Sequence, residues 1–396
     1  MHVALLFPTL PPRLDGIGDY TARLATELGE RVRTTVLTAQ TDAAPIPGVT
    51  VDMAFSKTSR KGILEVVGAV ANRFEAERPD WLVVQYNPFS YGAYGLNPWL
   101  PLAIRRLKKR VPSLGIALMI HEPFVPLTTP TYVVETLWQR PTLWALGRMA
   151  DAVFTSIAPW AERFGGWFTR DDDAPIRHLP IGSNIPLEDV SRDAARDEFG
   201  LSDTFAVGLF GSGFTKGMDA HVRQAILAIL DAQPSATLCY VGRRGAALRA
   251  ALNTPGSRDV PFRDLGPLPA DAVSRAFAAF DLYLAPYPDG FSTRRGSTMV
   301  ALEHGTPTVT TLGHLSDPLV HAQAGQAFEA LPSNDPAAFA QAAAALAGDD
   351  ATRATLGRNA QALYATQFDW PLVAERLLDA LGHDGVAAQN REVQHA

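Results

Sequence analysis

DLYLAPYPDGFSTRRGSTMVALEHGTPTVTT, residues 281–311, carries every part of one parallel α/β unit in a single run. The apolar run at 282–285 reads as a short buried strand. Pro286, Pro288, Asp289 and Gly290 read as a turn. A polar segment follows, Ser292-Thr293-Arg294-Arg295-Gly296-Ser297-Thr298. Met299, Val300 and Leu302 then form the buried face of a helix that stops at Gly305, with Pro307 just past it. Residues 308–311 supply the next strand. The unit gathers backbone N–H groups, two hydroxyls and two guanidiniums at a helix start, where the dipole and unpaired N–H groups favour an anion. Arginine also grips phosphate bidentately. The competing reading is an ordinary strand-to-helix loop with two solvated arginines. Arg294 and Arg295 lie inside the turn rather than on a helix face, which favours phosphate.

Working outward, 396 residues exceed one ordinary core and predict two domains. The net charge of −6 excludes a general nucleic-acid binder, which would carry a basic surface. The sole cysteine, Cys239, excludes a disulfide framework and a Cys-rich zinc site, and its apolar neighbours mark it as a small core residue. The chain opens on a strand-like run without a basic leader, and no stretch of 18 apolar residues occurs. The expectation is a soluble cytoplasmic protein.

The first half starts with the apolar run 3–7, a long loop, then Gly16-Ile17-Gly18-Asp19-Tyr20 leading into a helix. As a dinucleotide fingerprint this is weak, since only two glycines fit; they read as points where backbone approaches a ligand closely. The strand 81–86 ends in the aromatic loop 87–95, and the strand 114–120 ends in His121-Glu122. Loops at the carboxyl ends of parallel strands are where open α/β sheets bind ligands. A histidine there can move protons near neutral pH, or it can be structural. His121-Glu122 is not an H-E-x-x-H zinc site, because Val125 stands where the second His belongs. The helix at 100–111 carries Arg105, Arg106, Lys108, Lys109 and Arg110. It reads as a solvated face, or else as a contact with anionic lipid at the inner face of a membrane.

Residues 188–201 read as a linker with a short helix. A second strand-and-helix alternation begins at 205–210, followed by Gly211-Ser212-Gly213-Phe214-Thr215-Lys216-Gly217. This is another anion-cradle candidate, with Lys216 as a point charge, although it lacks the P-loop pattern. The predicted fold class is α/β, with two Rossmann-like doubly wound domains facing each other across a cleft. Their expected limits are 1–186 and 187–368, with a last helix at 369–382 crossing back to the first domain and a disordered tail at 383–396.

Six features in this order and spacing resemble one family. They are Gly16-Ile17-Gly18-Asp19-Tyr20, His121-Glu122, Lys216-Gly217, Gly305-Thr306-Pro307-Thr308-Val309, Phe368-Asp369-Trp370 and the two Rossmann-like halves. The chain resembles the GT-B glycosyltransferases of family 4 over residues 1–382, the bacterial retaining type that uses a nucleotide sugar. The loop 85–92 and residues 292–297 look like one subgroup of it. The resemblance implies a nucleotide-sugar donor on the second half and an acceptor on the first, without cofactor or metal. His121, Lys216 and Arg294 would be catalytic: His121 would contact the transferred sugar, and the two cations, with Arg295 and the N–H groups of Ser297 and Thr298, would neutralise the diphosphate. Gly16, Gly18, Gly213, Arg243 and Glu303 would complete the donor site, and Asn87, Tyr91 and Glu122 would meet the acceptor.

The sequence departs from the family pattern where two glutamates eight residues apart are usual; here those positions are Ser292 and Val300. Glu303 and Asp289 are the carboxylates at hand to replace them. The Arg usual five residues before the lysine is Gly211, which leaves Arg243, Arg294 or Arg295 to restore the charge. Three readings follow: a retaining hexosyltransferase, a GT-B protein that couples a sugar nucleotide to a non-sugar nucleophile, and a binding module without turnover.

Overall fold

The computed structural model describes residues 1–53, 79–168, 176–211, 217–253 and 258–394, and side chains as far as residue 382. The chain divides into two compact units, Met1–Pro180 with Trp370–Ala396, and Ile181–Asp369.

The first unit alternates β1 (His2–Leu6), α1 (Gly16–Gly29), β2 (Arg33–Thr38), β3 (Thr50–Met53) and β4 (Trp81–Tyr86). It continues with α2 (Trp99–Arg110), β5 (Gly115–Ile120), α3 (Pro130–Met149), β6 (Ala152–Thr155), α4 (Ala158–Phe164) and β7 (Ile176–His178). Its seven-stranded sheet has the order β3-β2-β1-β4-β5-β6-β7, and every pairing is parallel. Strand order reverses between β1 and β4, so the loops after these strands flank the crevice that such sheets leave at their carboxyl edge.

The second unit comprises α5 (Arg192–Glu198), β8 (Phe205–Phe210), α6 (Asp219–Ala232), β9 (Ala236–Val241), α7 (Gly245–Leu252), β10 (Phe262–Gly266) and α8 (Ala270–Ala279). Then come β11 (Leu282–Ala285), α9 (Gly296–Glu303), β12 (Thr308–Leu312), α10 (Pro318–Gln323), β13 (Glu329–Pro332), α11 (Pro336–Ala347) and α12 (Asp350–Gln367). The order β10-β9-β8-β11-β12-β13 repeats the reversal, here between β8 and β11, again with parallel pairs throughout. Strand periodicity explains the unbroken apolar runs. Phe205, Val207 and Leu209 pack on one face with Val222 and Ile226 of α6, while Ala206 joins Cys239, Val241 and Phe277 on the other. Both faces are buried, as a parallel sheet requires. Cys239 is a core thiol, pushed up to about 12 by burial.

The last helix, α13 (Trp370–Gln394), packs on α1 and β6 of the first unit; Trp370 sits 5.2 Å from the ring of Tyr20. It runs beyond residue 382, where the sequence predicts its end. The boundary between units falls at Pro180, earlier than the predicted 186. Ile181 N–H donates to the Thr293 carbonyl and Ser183 N–H to the Tyr364 hydroxyl, which ties 181–185 into the second unit.

Candidate active site

The residues after β11 build the better-defined site. Gly290 N–H donates to the Tyr287 carbonyl at 3.1 Å, closing a turn in which Gly290 has φ of +86°. A Cβ there would lie 2.2 Å from the Gly313 nitrogen, so the turn requires glycine twice over. The turn carries Asp289 back toward the arginines. Arg294 Nη2 donates to one carboxylate oxygen at 2.6 Å and Arg295 Nη2 to the other at 2.5 Å. Two guanidiniums on one carboxylate leave a net positive charge, held in fixed orientation by charge-assisted hydrogen bonds. The Arg295 guanidinium lies 4.5 Å from the Tyr287 ring centroid, and the Tyr287 hydroxyl meets Ser297 Oγ at 2.9 Å and Thr298 Oγ1 at 2.8 Å. The arginines are therefore not solvated strays. Asp289, considered from sequence as a stand-in for a missing glutamate, orients them instead.

No side chain caps the start of α9. The N–H groups of Thr298 and Met299 both turn back to the Arg295 carbonyl. The N–H groups of Gly296 and Ser297 have no hydrogen-bond partner among the described residues, leaving two donors at the positive end of the dipole. The open donors thus belong to Gly296 and Ser297, rather than to the expected Ser297 and Thr298. Thr298 is wholly buried and serves the turn. Ser292, where the resembled family has its first glutamate, is wholly buried, and its hydroxyl has no partner among the described residues. Thr293 beside it is fixed by its N–H to Asp317 Oδ2 at 2.7 Å.

The other predicted donor-side residues are Arg243, Glu303, Lys216 and Gly213. Arg243 is exposed in the turn after β9, the strand adjoining β8. Glu303 is half-buried at the far end of α9, roughly 10 Å along the axis from its start. Lys216 and Gly213 lie outside the described residues. Tyr287 was missed, because the sequence Pro286-Tyr287-Pro288-Asp289-Gly290 shows only a turn.

In the first unit the glycines have a different task. Asp15 Oδ1 accepts from the N–H groups of Ile17 at 2.9 Å and Gly18 at 3.0 Å, so α1 is capped by its own chain. A Cβ on Gly18 would lie 2.6 Å from the Thr9 carbonyl oxygen; its close neighbour is the preceding loop. Gly16 has open space where a side chain would stand. Asp19, in the first turn of α1, is raised to about 6 by burial first and by Asp15 second.

His121 is buried, with Nε2 2.7 Å from Gln85 Oε1 and its ring 4.7 Å from Tyr20. An amide oxygen only accepts, so Nε2 carries the proton and Nδ1 is left as an acceptor. Burial lowers the imidazole to about 3, which keeps it neutral near pH 7 and speaks against the proton-transfer reading. Its chemistry is that of a neutral hydrogen-bonding group. Glu122 follows it, half-buried. Asn87 Oδ1 accepts from Phe89 N–H and caps a short 3-10 turn. Tyr91 is buried, and its hydroxyl lies 3.0 Å from the Leu6 carbonyl and 2.8 Å from that of Gln85. Both side chains expected at an acceptor are thus engaged in building the loop after β4.

Residues 204–349 match the family model described as glycosyl transferases group 1. No protein with a curated description matches the sequence. Among solved structures the chain is similar to HepE of Anabaena in complex with UDP and glucose: 16% identity, TM-score 0.68, covering 96% of this chain and 99% of that one. The sucrose-phosphate synthase of Thermosynechococcus elongatus gives 16% identity and a TM-score of 0.67, covering 96% and 97%. WaaG, a glycosyltransferase involved in lipopolysaccharide biosynthesis, gives 16% and 0.66, covering 96% and 99%. The fold is therefore the GT-B one, and the match to the group 1 glycosyl transferase model falls within the second unit.

Proposed function

We propose, from the group 1 glycosyl transferase domain in residues 204–349, that this chain moves a glycosyl group from a nucleotide-diphosphate sugar to an acceptor. The observation that carries the reading is the Arg294–Asp289–Arg295 fork beside the uncapped start of α9. Negative charge develops on the diphosphate as the bond from the anomeric carbon to the leaving oxygen breaks. Fixed guanidiniums and helix N–H groups stabilise that charge without having to reorganise at that moment. In this reading Arg294, Arg295 and Lys216 take the place of a divalent cation, and Arg243 adds to the field. The acceptor, a sugar, a lipid-linked sugar or a small molecule, is assigned to the first unit. There His121, through its neutral ring, accepts a hydrogen bond from a sugar hydroxyl at Nδ1. Retention of anomeric configuration belongs to the same proposal.

A second reading is a nucleotide-sugar binder without turnover. It is favoured by Ser292, a buried hydroxyl where the resembled family has a glutamate. A thermal-shift panel of UDP, GDP, ADP, TDP and CMP tests the site itself, with UDP first because HepE is complexed with it. One nucleotide is expected to bind, stabilising the fold by about 2.7 kcal/mol at a hundred times its Kd, and Arg294→Ala should abolish the shift. Silence across the panel at millimolar concentration overturns both readings. Binding without donor hydrolysis or transfer selects the second.

A further inference from the structure

The most anomalous surface lies in the first unit, apart from the arginine site after β11. The first half of helix α3 is inverted, whereas Leu143 and Leu146 in its second half are buried. Glu135, Thr136 and Gln139 are buried, while Val133, Val134, Leu137 and Trp144 are exposed, Leu137 by 71%. The exposed apolar positions recur at the three- to four-residue spacing of one helix face. The buried polar side chains are used: Gln139 accepts from Val125 N–H at 2.9 Å and donates to the Tyr94 carbonyl at 3.2 Å, which Trp138 Nε1 also reaches at 2.9 Å. Tyr94 is the one non-glycine residue with positive φ among the described residues, at 54°, and the residue is 70% exposed. A backbone conformation disfavoured for a bulky residue is thus held by two hydrogen bonds while an aromatic ring faces outward. Of the fourteen large apolar side chains exposed among the described residues, ten fall between Phe89 and Trp144.

Charge adds the second observation. Residues 81–150 hold seven Lys and Arg against two carboxylates, Glu122 and Glu135, in a chain whose net charge is −6. Helix α2, packed against α3, exposes Leu102, Arg105, Arg106, Lys109 and Arg110. On α3, the Arg148 guanidinium lies 5.1 Å from the Trp144 ring centroid, so an aromatic and a cation stand together at the edge of the stripe. Neither helix shows an exposed carboxylate.

We propose that the outer faces of α2 and α3, with the Tyr94 turn, form a docking surface for an anionic lipid bilayer. Aliphatic side chains would enter the acyl boundary, Trp144 and Tyr94 would sit at headgroup depth, and the basic residues would meet the phosphates. No helix among the described residues is long and apolar enough to cross a membrane, so the contact is lateral. Charge selects the bilayer over a second copy of the chain, since a two-fold contact would set the basic cluster against itself. The surface is independent of the donor site, and its test needs no nucleotide.

The test is flotation of the full chain with vesicles of phosphatidylcholine, with and without one quarter phosphatidylglycerol. The chain should float with the anionic vesicles and be partly released by salt. Leu137→Asp with Trp144→Asp should cut the bound fraction at least tenfold. Arg105→Glu with Arg106→Glu should weaken it by ~5-fold per charge removed and flatten the salt dependence. All four side chains are exposed, so the variants should keep the melting temperature of the parent. The proposal is overturned if the parent does not float or if the variants float equally well. It is also overturned if the parent sediments as a dimer that Leu137→Asp with Trp144→Asp dissociates without any flotation.

Discussion

Helices α1 and α9 both follow a parallel strand at the point where its sheet reverses order, yet their first turns are filled in opposite ways. In α1 the Asp15 carboxylate occupies the N–H groups that an anion would use, and Gly18 is pressed against the Thr9 carbonyl. Among the described residues, in α9 no side chain caps the helix, two N–H groups stay open, and two guanidiniums stand beside them. Glycine content therefore says little about anion binding. What decides is whether the chain brings its own carboxylate to the helix start, as Asp15 does, or uses that carboxylate to aim cations, as Asp289 does.

The largest effect expected from this contrast is at the N-cap of α9. Arg295→Asp would make that helix start resemble α1, capping it with a carboxylate and reversing a charge. Nucleoside diphosphate binding should weaken more than a hundredfold, or about 3 kcal/mol, with little change in melting temperature. Calorimetric binding within tenfold of the parent would break the comparison. The reverse change is smaller. Asp15→Ala should cost about 1 kcal/mol of stability in urea unfolding while leaving diphosphate affinity within about twofold. A gain of anion binding in that variant would show that the cap alone had closed α1.

The smallest effect concerns pH. Asp19 is raised from 3.8 to about 6 by burial and then by Asp15. A carboxyl group raised on folding binds its proton more tightly in the folded chain. It therefore costs stability above about pH 6, and the cost fades as pH falls toward 4. Asp19→Asn should stabilise the protein by about 1 kcal/mol at about pH 7.5, after discounting for partial exposure, and by nothing near pH 4. Equal gains at both pH values would remove the carboxylate's charge as the cause.

The strand-and-helix alternation was plain in the sequence because a parallel strand is apolar on both sides, as 205–210 and 282–285 are. The loop around Arg294 was legible for a local reason: turn formers and hydroxyls at a helix start say where backbone donors lie. The pairing with Asp289 was not, because Asp289 read as a turn residue and its partners are chosen by the φ of Gly290. Helix α3 escaped the sequence reading altogether. Periodicity finds helices by assuming that apolar residues face inward, and in the first half of α3 Val133, Val134 and Leu137 face outward, with Pro141 inside the helix as a further false stop. For Asn87 and Tyr91 the family resemblance implied acceptor contacts, and the structure adds that both side chains bond to backbone of their own unit.

The return of α13 to the first unit also sets an order of events during synthesis. Met1–Pro180 leave the ribosome first, but the helix that covers Tyr20 and packs on α1 begins only at Trp370, after the whole of Ile181–Asp369. At ~5–20 residues per second that wait is roughly 10–40 s. The unit made second is continuous and can finish first, while the unit made first holds an apolar face open until the helix from Trp370 has been made.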